Sequence, residues 1–263
     1  MVNGDGSSSL CLGASFDFDL HMHELCRLIA RQSFCRLPAE HVRSLLLEQS
    51  QFSLKDWSAF QESWSRLPLD EYMADGGRYR RRRYTTLSAR ASSRAFQLEH
   101  HQPHYQSRNN NYLNGGIPRH FDPIEDATLA GNTMSSLLAF GCDLFGRLSP
   151  YSDWHIEVHQ FRIETDGTQI GMPTPEGPHR DGVSFVMMLM VNRFNVAGGE
   201  TIIYDLDDRR VDEFTLASPL EMVLVNDERI RHGVSAVTPF DPEKLGYRDV
   251  FVATFRYKSN CAE

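Results

Sequence analysis

The chain has 263 residues, of which 41% are hydrophobic and 24% are charged, and its formal net charge is -8. This composition is typical of a soluble globular protein, and the acidic balance argues against nonspecific nucleic-acid binding, which needs a basic surface. No apolar run approaches the roughly 20 residues that span a bilayer, so a membrane protein is not expected.

The N-terminal segment, MVNGDGSSSLCLG, lacks the basic and apolar regions of a signal peptide. Residues 1–15 are therefore predicted to be a flexible lead-in. The cysteines are odd in number, scattered, and without a CxxC pair, which indicates reduced thiols in a cytoplasmic protein. The five are Cys11, Cys26, Cys35, Cys142 and Cys261.

Helical patterns dominate the chain up to about residue 150. The segment LPAEHVRSLLLEQSQF has Pro38 near its start and a repeating apolar face. SLKDWSAFQESWSRLP offers Ser53 as an N-cap, and its large apolar side chains recur at helical spacing, as expected for core residues. These are Trp57, Phe60, Trp64 and Leu67. A third helical pattern covers Asp126 to Leu148.

An arginine-rich segment, GGRYRRRRYTTL, lies between these helical patterns, with arginine at five of the six positions from Arg78 to Arg83. It can be a solvated basic turn or an edge strand. Nucleic-acid binding is a second interpretation, which the net charge does not support. In a third, one or two of the arginines point inward and bind a carboxylate.

From Trp154 onward the pattern changes to strands. Six short apolar or alternating segments follow in about 100 residues without helices between them, which is typical of an antiparallel sandwich or jelly roll. They are WHIEVHQFRIE, VSFVMMLMV, GGETIIYDL, LEMVLVND, HGVSAVTPF and RDVFVATFRY. Core-filling methionines are expected on the second, at Met187, Met188 and Met190.

The predicted fold class is thus mainly β with flanking helices (α+β), around a double-stranded β-helix core of the jelly-roll, cupin-like type. Residues 16–263 are predicted to form one domain, with a helical N-terminal part to about 150. Most core strands are expected between 151 and 258.

Two His-x-Asp pairs occur, HRD at His179 and Asp181, and HFD at His120 and Asp122. Residues i and i+2 of a strand point to the same side, so both side chains of such a pair can reach one ion. The first pair adjoins a strand. The second lies between two prolines, Pro118 and Pro123, where strand pairing is poor.

A third ligand is available at His232, which begins another strand 51 residues after Asp181. Distant strands become neighbours in a jelly roll, so His179, Asp181 and His232 are predicted to form a facial triad. Such a triad leaves coordination positions open and suits non-haem Fe(II) oxygenases.

If 2-oxoglutarate fills the open positions, its far carboxylate needs a cation. Arg248 begins the strand that returns from the deep end of the barrel, so it is the predicted partner. Arg256 has the same parity but lies near the mouth, about 26 Å away at ~3.3 Å per residue. It is left as a candidate for the substrate.

Several segments together resemble the iron- and 2-oxoglutarate-dependent dioxygenases that hydroxylate free L-amino acids, the group typified by isoleucine 4-hydroxylase. The resemblance covers roughly Leu67 to Tyr257. The segments are PTPEGPHRDGVSFV, GGETIIYD, HGVSAVTPFDPEKLGYRDVFVATFR, LPLDEYMADGGRYRRRRY and NNNYLNGGIPRHFDPI.

The resemblance implies a double-stranded β-helix, Fe(II) on His179, Asp181 and His232, and conversion of 2-oxoglutarate and O2 to succinate and CO2. It also implies hydroxylation of a small amino acid, most simply an aliphatic one. Related halogenases vacate the position of Asp181, so the intact carboxylate favours hydroxylation.

The substrate carboxylate is expected at an inward arginine of the Arg80–Arg83 run, with Arg83 as the choice, or at Arg162 or Arg256. Glu157 and Asp205 are candidates for the ammonium group. Three alternatives stay open: cyclisation or desaturation of an amino acid, hydroxylation of a peptide or natural product, and a jelly-roll binding module without activity. The oligomeric state is not predicted.

Overall fold

A computed structural model describes residues 17–48 and 54–258. The predicted flexible lead-in and the Ser53 N-cap lie outside the described residues. Among the described residues, no helix combines the length and the apolar character needed to cross a membrane. The helices are α1 (Phe18–Gln32), α2 (Ala39–Glu48), α3 (Trp57–Glu62), α4 (Asp126–Leu129) and α5 (Asn132–Leu148), with a 3-10 turn at Ser63–Arg66.

The helix predicted from Asp126 to Leu148 is present but interrupted before α5. Gly131 is the N-cap of α5, and a Cβ atom there would lie 2.4 Å from the carboxylate of Asp56. That carboxylate accepts hydrogen bonds from the backbone N–H (2.9 Å) and hydroxyl (2.6 Å) of Thr133. The glycine therefore allows Asp56 to cap α5 from the start of α3.

Twelve strands among the described residues form one large sheet and two small ones, and all pairings are antiparallel. The large sheet has the order β1-β9-β5-β12-β4-β2-β3, and the small sheets are β10-β7-β8 and β11-β6. The strands are β1 (Phe34–Leu37), β2 (Arg80–Ala89), β3 (Phe96–Leu98), β4 (Trp154–Thr165), β5 (Phe185–Phe194), β6 (Val196–Gly198), β7 (Glu200–Tyr204), β8 (Arg210–Thr215), β9 (Met222–Asn226), β10 (Arg231–Val234), β11 (Val237–Pro239) and β12 (Gly246–Tyr257).

The helices pack on one face of the large sheet. Their apolar sides meet the even-numbered residues of β4 and the odd-numbered residues of β12 in one core cluster. The predicted core residues Phe60, Trp64 and Leu67 are buried in this cluster, and Trp57 packs against it. The helical layer is therefore attached to the barrel by a continuous apolar interface.

The opposite face of the large sheet faces the small sheets. Met188 and Met190 of β5 lie in a cluster with Ile203 of β7 and Phe214 of β8. Met187 points to the helical side, because neighbouring residues of a strand alternate. The core positions predicted for all three methionines are confirmed, as is the mainly β fold class with flanking helices.

Three strands precede residue 150, in the part of the chain predicted to be helical. The arginine-rich segment forms β2, which pairs with β4 along its whole length. It is therefore a strand and not a solvated turn, and because β3 pairs only with Leu87, Ser88 and Ala89, the arginines lie in a part of β2 that β3 does not cover. The sequence does not show the alternation of polar and apolar residues expected for a strand, because arginine occupies positions on both faces of β2.

Candidate active site

A cavity of about 280 Å³ opens between the large sheet and the small sheets. The odd-numbered side chains of β4 and the even-numbered side chains of β2 and β12 point into it. Its walls combine apolar groups with an unusual number of charged ones. Such a mixture is typical of a site that binds a polar small molecule.

His179, Asp181 and His232 meet at one end of this cavity. His179 and His232 pair backbone to backbone, with two N···O distances of 2.9 Å. The Nε2 atom of His179 lies 3.5 Å from Oδ1 of Asp181, and Nε2 of His232 lies 3.6 Å from Oδ2. One ligand atom from each of the three residues falls within 4.8 Å of the others, so the group can hold a metal ion.

The hydrogen bonding of His179 fits metal coordination. Nδ1 of His179 lies 3.0 Å from the carbonyl oxygen of Gly177, so Nδ1 carries a proton and Nε2 is the nitrogen available to a metal ion. Burial lowers the pKa of His232 to about 4, which keeps it neutral near pH 7. Two imidazoles and a carboxylate are a donor set suited to Fe(II).

Burial would lower the pKa of His179, but its hydrogen bond to Asp181 and the charge of that carboxylate outweigh burial and raise the pKa to about 9. Both interactions also keep Asp181 ionised. Without a metal ion, His179 is therefore protonated near neutral pH and pairs with the ionised Asp181, and a bound metal ion would displace this proton.

A second cluster, His104, Glu157 and His159, also brings three possible ligand atoms together. An arginine can only donate, so the 2.8 Å contact from Nη2 of Arg82 makes Nδ1 of His159 the acceptor. Nε2 of His159 then carries the proton and faces Glu157 at 3.9 Å. Neither nitrogen is free for a metal, so this cluster is a hydrogen-bond network beside the triad.

Arg248 lies in β12 on the cavity wall and is 5% exposed. Its Nε has no hydrogen-bond partner, and no carboxylate of the described chain lies within 4.0 Å of its guanidinium. Burial and the neighbouring Arg193 lower the pKa of Arg248 to about 10, so it remains charged near neutral pH. A buried cation without a counter-ion is chemically suited to an external carboxylate.

Two predicted substrate-binding arginines face away from the cavity, which corrects the expectation that they line it. Arg83 is on the odd-numbered face of β2 and donates to the carbonyl oxygen of Pro123 at 2.9 Å. Arg162 is on the even-numbered face of β4 and binds Asp249 with two hydrogen bonds of 2.7 and 2.8 Å. Strand alternation explains both positions. Neighbouring residues of a strand point to opposite faces of the sheet, and these two arginines are on the face that meets the helices.

Of the remaining candidates for substrate binding, some line the cavity and one lies outside it. Arg256 lines the cavity near its mouth and is exposed, in agreement with its predicted parity. Arg80 and Arg82 are the inward members of the arginine run. Glu157 also lines the cavity, whereas Asp205 lies in the turn after β7, where it hydrogen-bonds the backbone of residues 207 and 209.

Sequence reasoning missed a loop, residues 99–121, that covers the triad. Gln106 directs its amide nitrogen at Oδ1 of Asp181 across a long contact of 3.4 Å, and Arg119 contacts the amide oxygen of Gln106 at 3.5 Å. Glu176, three residues before His179, was also missed, although its carboxylate lies 3.7 Å from Nε2 of that histidine. The proximity of Glu176 to the HRD pair was an available signal, but the loop carries no periodic pattern.

Residues 61–254 match the family model of the 2OG-Fe dioxygenases. The chain belongs to this family. It is therefore a non-haem dioxygenase whose cofactor is Fe(II) and whose co-substrates are 2-oxoglutarate and O2. The family matches the resemblance identified from the sequence motifs.

Individual relatives of this dioxygenase include the L-isoleucine-4-hydroxylase of Bacillus thuringiensis, 28% identical over 200 residues, which are 72% of this chain and 81% of the relative. The crystal structure of a bsmA homologue from Methylobium petroleophilum PM1 is 31% identical, with a TM-score of 0.80 over 90% of this chain and 93% of that one. The structure of IDO from Bacillus thuringiensis has a TM-score of 0.75 at 20% identity, covering 90% of this chain and 100% of that one, and supports the shared fold.

Proposed function

We propose that this dioxygenase hydroxylates the side chain of a free aliphatic L-amino acid. One oxygen atom of O2 enters a C–H bond of the amino acid, and the other enters succinate as 2-oxoglutarate loses CO2. The observation that carries the proposal is the convergence of His179, Asp181 and His232 on one point of the cavity. The similarity to an L-isoleucine-4-hydroxylase supports the substrate class.

In this proposal His179, Asp181 and His232 bind the iron, and Arg248 binds the far carboxylate of 2-oxoglutarate. The bound iron supplies the activation of O2 that no side chain can provide. Asp181 would contribute the anionic ligand, and the two imidazoles would complete a set of three ligands that leaves the remaining positions for the co-substrate and O2. Arg248 contributes charge and a planar donor set suited to a carboxylate.

The protein's own contribution is orientation and exclusion of water. Val183 and Val252 line the cavity and pack against the apolar cluster between the sheets, so this wall suits an aliphatic side chain. Holding the substrate by its charged groups would present one carbon of that side chain to the iron. Arg256, at the mouth, is positioned to attract a carboxylate as it enters. We also expect the enzyme in the cytoplasm, because its cysteine pattern indicates reduced thiols.

The deciding experiment combines the protein with Fe(II), ascorbate, 2-oxoglutarate and each free amino acid in turn. Succinate and the mass of each amino acid are measured. The proposal predicts that an aliphatic amino acid stimulates succinate formation and gains one oxygen atom. Succinate with a product two hydrogens lighter than the substrate would indicate cyclisation or desaturation. No stimulation by any amino acid would contradict the proposed substrate class and favour a peptide or another natural product.

A further inference from the structure

We infer that Glu176 and Arg119 bind the two charged groups of the amino acid substrate, Glu176 its α-ammonium and Arg119 its α-carboxylate. This assignment rests on the proposed function and specifies its substrate site. Both residues line the cavity, and neither belongs to the triad or to the 2-oxoglutarate position.

Glu176 is a buried carboxylate with an unused oxygen. Its side chain is 6% exposed, and Oε1 accepts a hydrogen bond from Nδ2 of Asn111 at 3.2 Å. Oε2 is buried and has no hydrogen-bond partner. Leaving a buried charged acceptor unpaired costs free energy, so this oxygen is suited to accept from a donor group of a ligand. An ammonium group carries three N–H donors and a compensating charge.

Arg119 is a buried guanidinium with an unused donor, its Nε. It is 2% exposed, its Nε has no partner, and no carboxylate among the described residues lies within 4.0 Å. Its backbone pairs with His104 through two hydrogen bonds of 2.9 Å, which fix its position in the loop over the triad. A rigid cation without a counter-ion on a cavity wall is suited to a carboxylate.

The other buried charged groups of this part of the wall already have charged or hydrogen-bonding partners, although Nη2 of Arg80 and Nε of Arg82 have no acceptor. Glu157 accepts from the hydroxyl of Tyr84 at 2.9 Å and faces His104 at 3.3 Å. Arg80 is paired with Asp70 at 2.8 Å. Arg82 donates to His159 and stacks between the rings of Phe121 and Phe161, with its Cζ 3.9 and 4.5 Å from the two ring centres. These groups form the wall itself.

Glu176 and Arg119 line the same cavity and carry opposite charges. The charge of Glu176 acts to raise the pKa of Arg119, after the larger effects of burial, Arg80 and Asp70. They do not form an ion pair within 4.0 Å in the described structure. A zwitterion between them would supply the missing donor on one side and the missing acceptor on the other. The site therefore recognises the part that all free α-amino acids share.

The test compares binding of three probes to the protein loaded with Fe(II) and 2-oxoglutarate without O2. The probes are L-isoleucine, 3-methylpentanoic acid, which lacks the amino group, and L-isoleucinamide, which lacks the carboxylate. Binding is measured by titration calorimetry for the wild type, Glu176→Gln and Arg119→Gln. Glu164→Gln and Arg209→Gln are the matched controls, because both side chains lie outside the cavity lining.

Glu176→Gln is expected to weaken L-isoleucine binding about 10- to 100-fold while leaving 3-methylpentanoic acid unaffected. Arg119→Gln should weaken L-isoleucine equally while leaving L-isoleucinamide unaffected. Melting temperatures and bound iron are measured for every variant. Glu176→Gln could instead lose iron and still discriminate among the three probes as the wild type does. That result would indicate that Glu176 is an iron ligand and would overturn the assignment.

Two further outcomes separate this inference from the proposed function. If the wild type binds L-isoleucine and both variants bind it as tightly, the assignment of Glu176 and Arg119 is wrong and the proposed function stands. If the wild type binds neither L-isoleucine nor any other free amino acid, both are wrong.

Discussion

The carboxylate of Asp227 accepts the backbone N–H of Asp181 at 2.9 Å. Its second oxygen accepts the N–H groups of Gly182 and Val183 at 2.8 and 3.1 Å, and the side chain of Asp227 is fully buried. One carboxylate thus fixes the backbone that carries the acidic member of the triad. It also lies 4.0 Å from Nδ1 of His232, so it faces a second member.

Asp227→Asn should weaken iron binding although Asp227 is not a ligand. The amide would place an N–H donor against backbone donors that now share the carboxylate, and the ligand loop would shift. Loss of such a supporting group typically weakens metal affinity about 10- to 100-fold. Iron retained during dialysis against a chelator measures the effect. Asp207→Asn, in an exposed turn, is the control, and equal iron retention in both variants would refute the positioning role.

Replacement of His179, Asp181 or His232 by Ala should abolish stoichiometric iron binding and 2-oxoglutarate turnover, since each removes one of the three proposed ligands. The second His-x-Asp pair gives the matched control. His120 is exposed, and the side chain of Asp122 is 64% exposed. His120→Ala should therefore retain iron and activity, measured by metal analysis and succinate formation. Iron loss in His120→Ala would place the metal elsewhere.

Arg248→Ala should raise the 2-oxoglutarate concentration required for half-maximal turnover by about 10- to 100-fold, because a charge-assisted pair is lost. Iron content should not change. Arg81→Ala removes an arginine from the opposite face of the large sheet, where it is bonded to Glu164, and should leave the requirement unaltered. An unchanged 2-oxoglutarate requirement in Arg248→Ala would exclude this arginine as the carboxylate partner.

Arg162→Met should act on stability instead of substrate binding. The variant leaves the carboxylate of Asp249 buried without its partner, and breaking such a pair typically costs about 3–5 kcal/mol. The double variant Arg162→Met with Asp249→Asn should recover part of this loss, as measured by urea unfolding. At temperatures where Arg162→Met stays folded, the amino-acid concentration that gives half-maximal turnover should equal that of the wild type. A selective loss of amino-acid binding would restore Arg162 as a substrate residue.

Two thiols should be unreactive in the folded enzyme. Burial raises the pKa of both Cys35 and Cys142 to about 12, so the reactive thiolate becomes abundant only as the pH rises toward that value. At pH 8 only about one thiol in ten thousand is ionised. Iodoacetamide at pH 8 should therefore modify neither residue until guanidinium unfolds the protein. Peptide mass spectrometry distinguishes the sites, and rapid labelling of folded Cys142 would contradict the prediction.

The sequence allowed the barrel, the triad positions and the inward direction of Arg248 and Arg256 to be predicted, because strand alternation fixes the side on which each residue lies. The same rule contained the information needed to reject Arg162. Residues Trp154, Ile156 and Val158 share its face of β4, and an apolar face of this kind packs against the core. The titratable residues of the opposite face mark the cavity.

Glu176, Arg119 and Asp227 could not be assigned in this way. All three lie outside the regular strands, so no period determines where their side chains point. Asp227 depends on hydrogen bonds to residues more than 40 positions earlier, and Arg119 depends on pairing within the loop over the triad. These directions are set by tertiary contacts that a single sequence does not encode locally.

Side chains of β4 point alternately to the cavity and to the helices, so substitutions at neighbouring positions of this strand have different consequences. Its odd-numbered side chains face the cavity, and its even-numbered side chains up to Val158 lie beneath the helices. Substitutions on the second set act first on folding. Substitutions on the first set change the cavity directly, but at Glu157 and His159 they also break a buried hydrogen-bond network, so a new specificity at these two positions requires compensating changes in their partners.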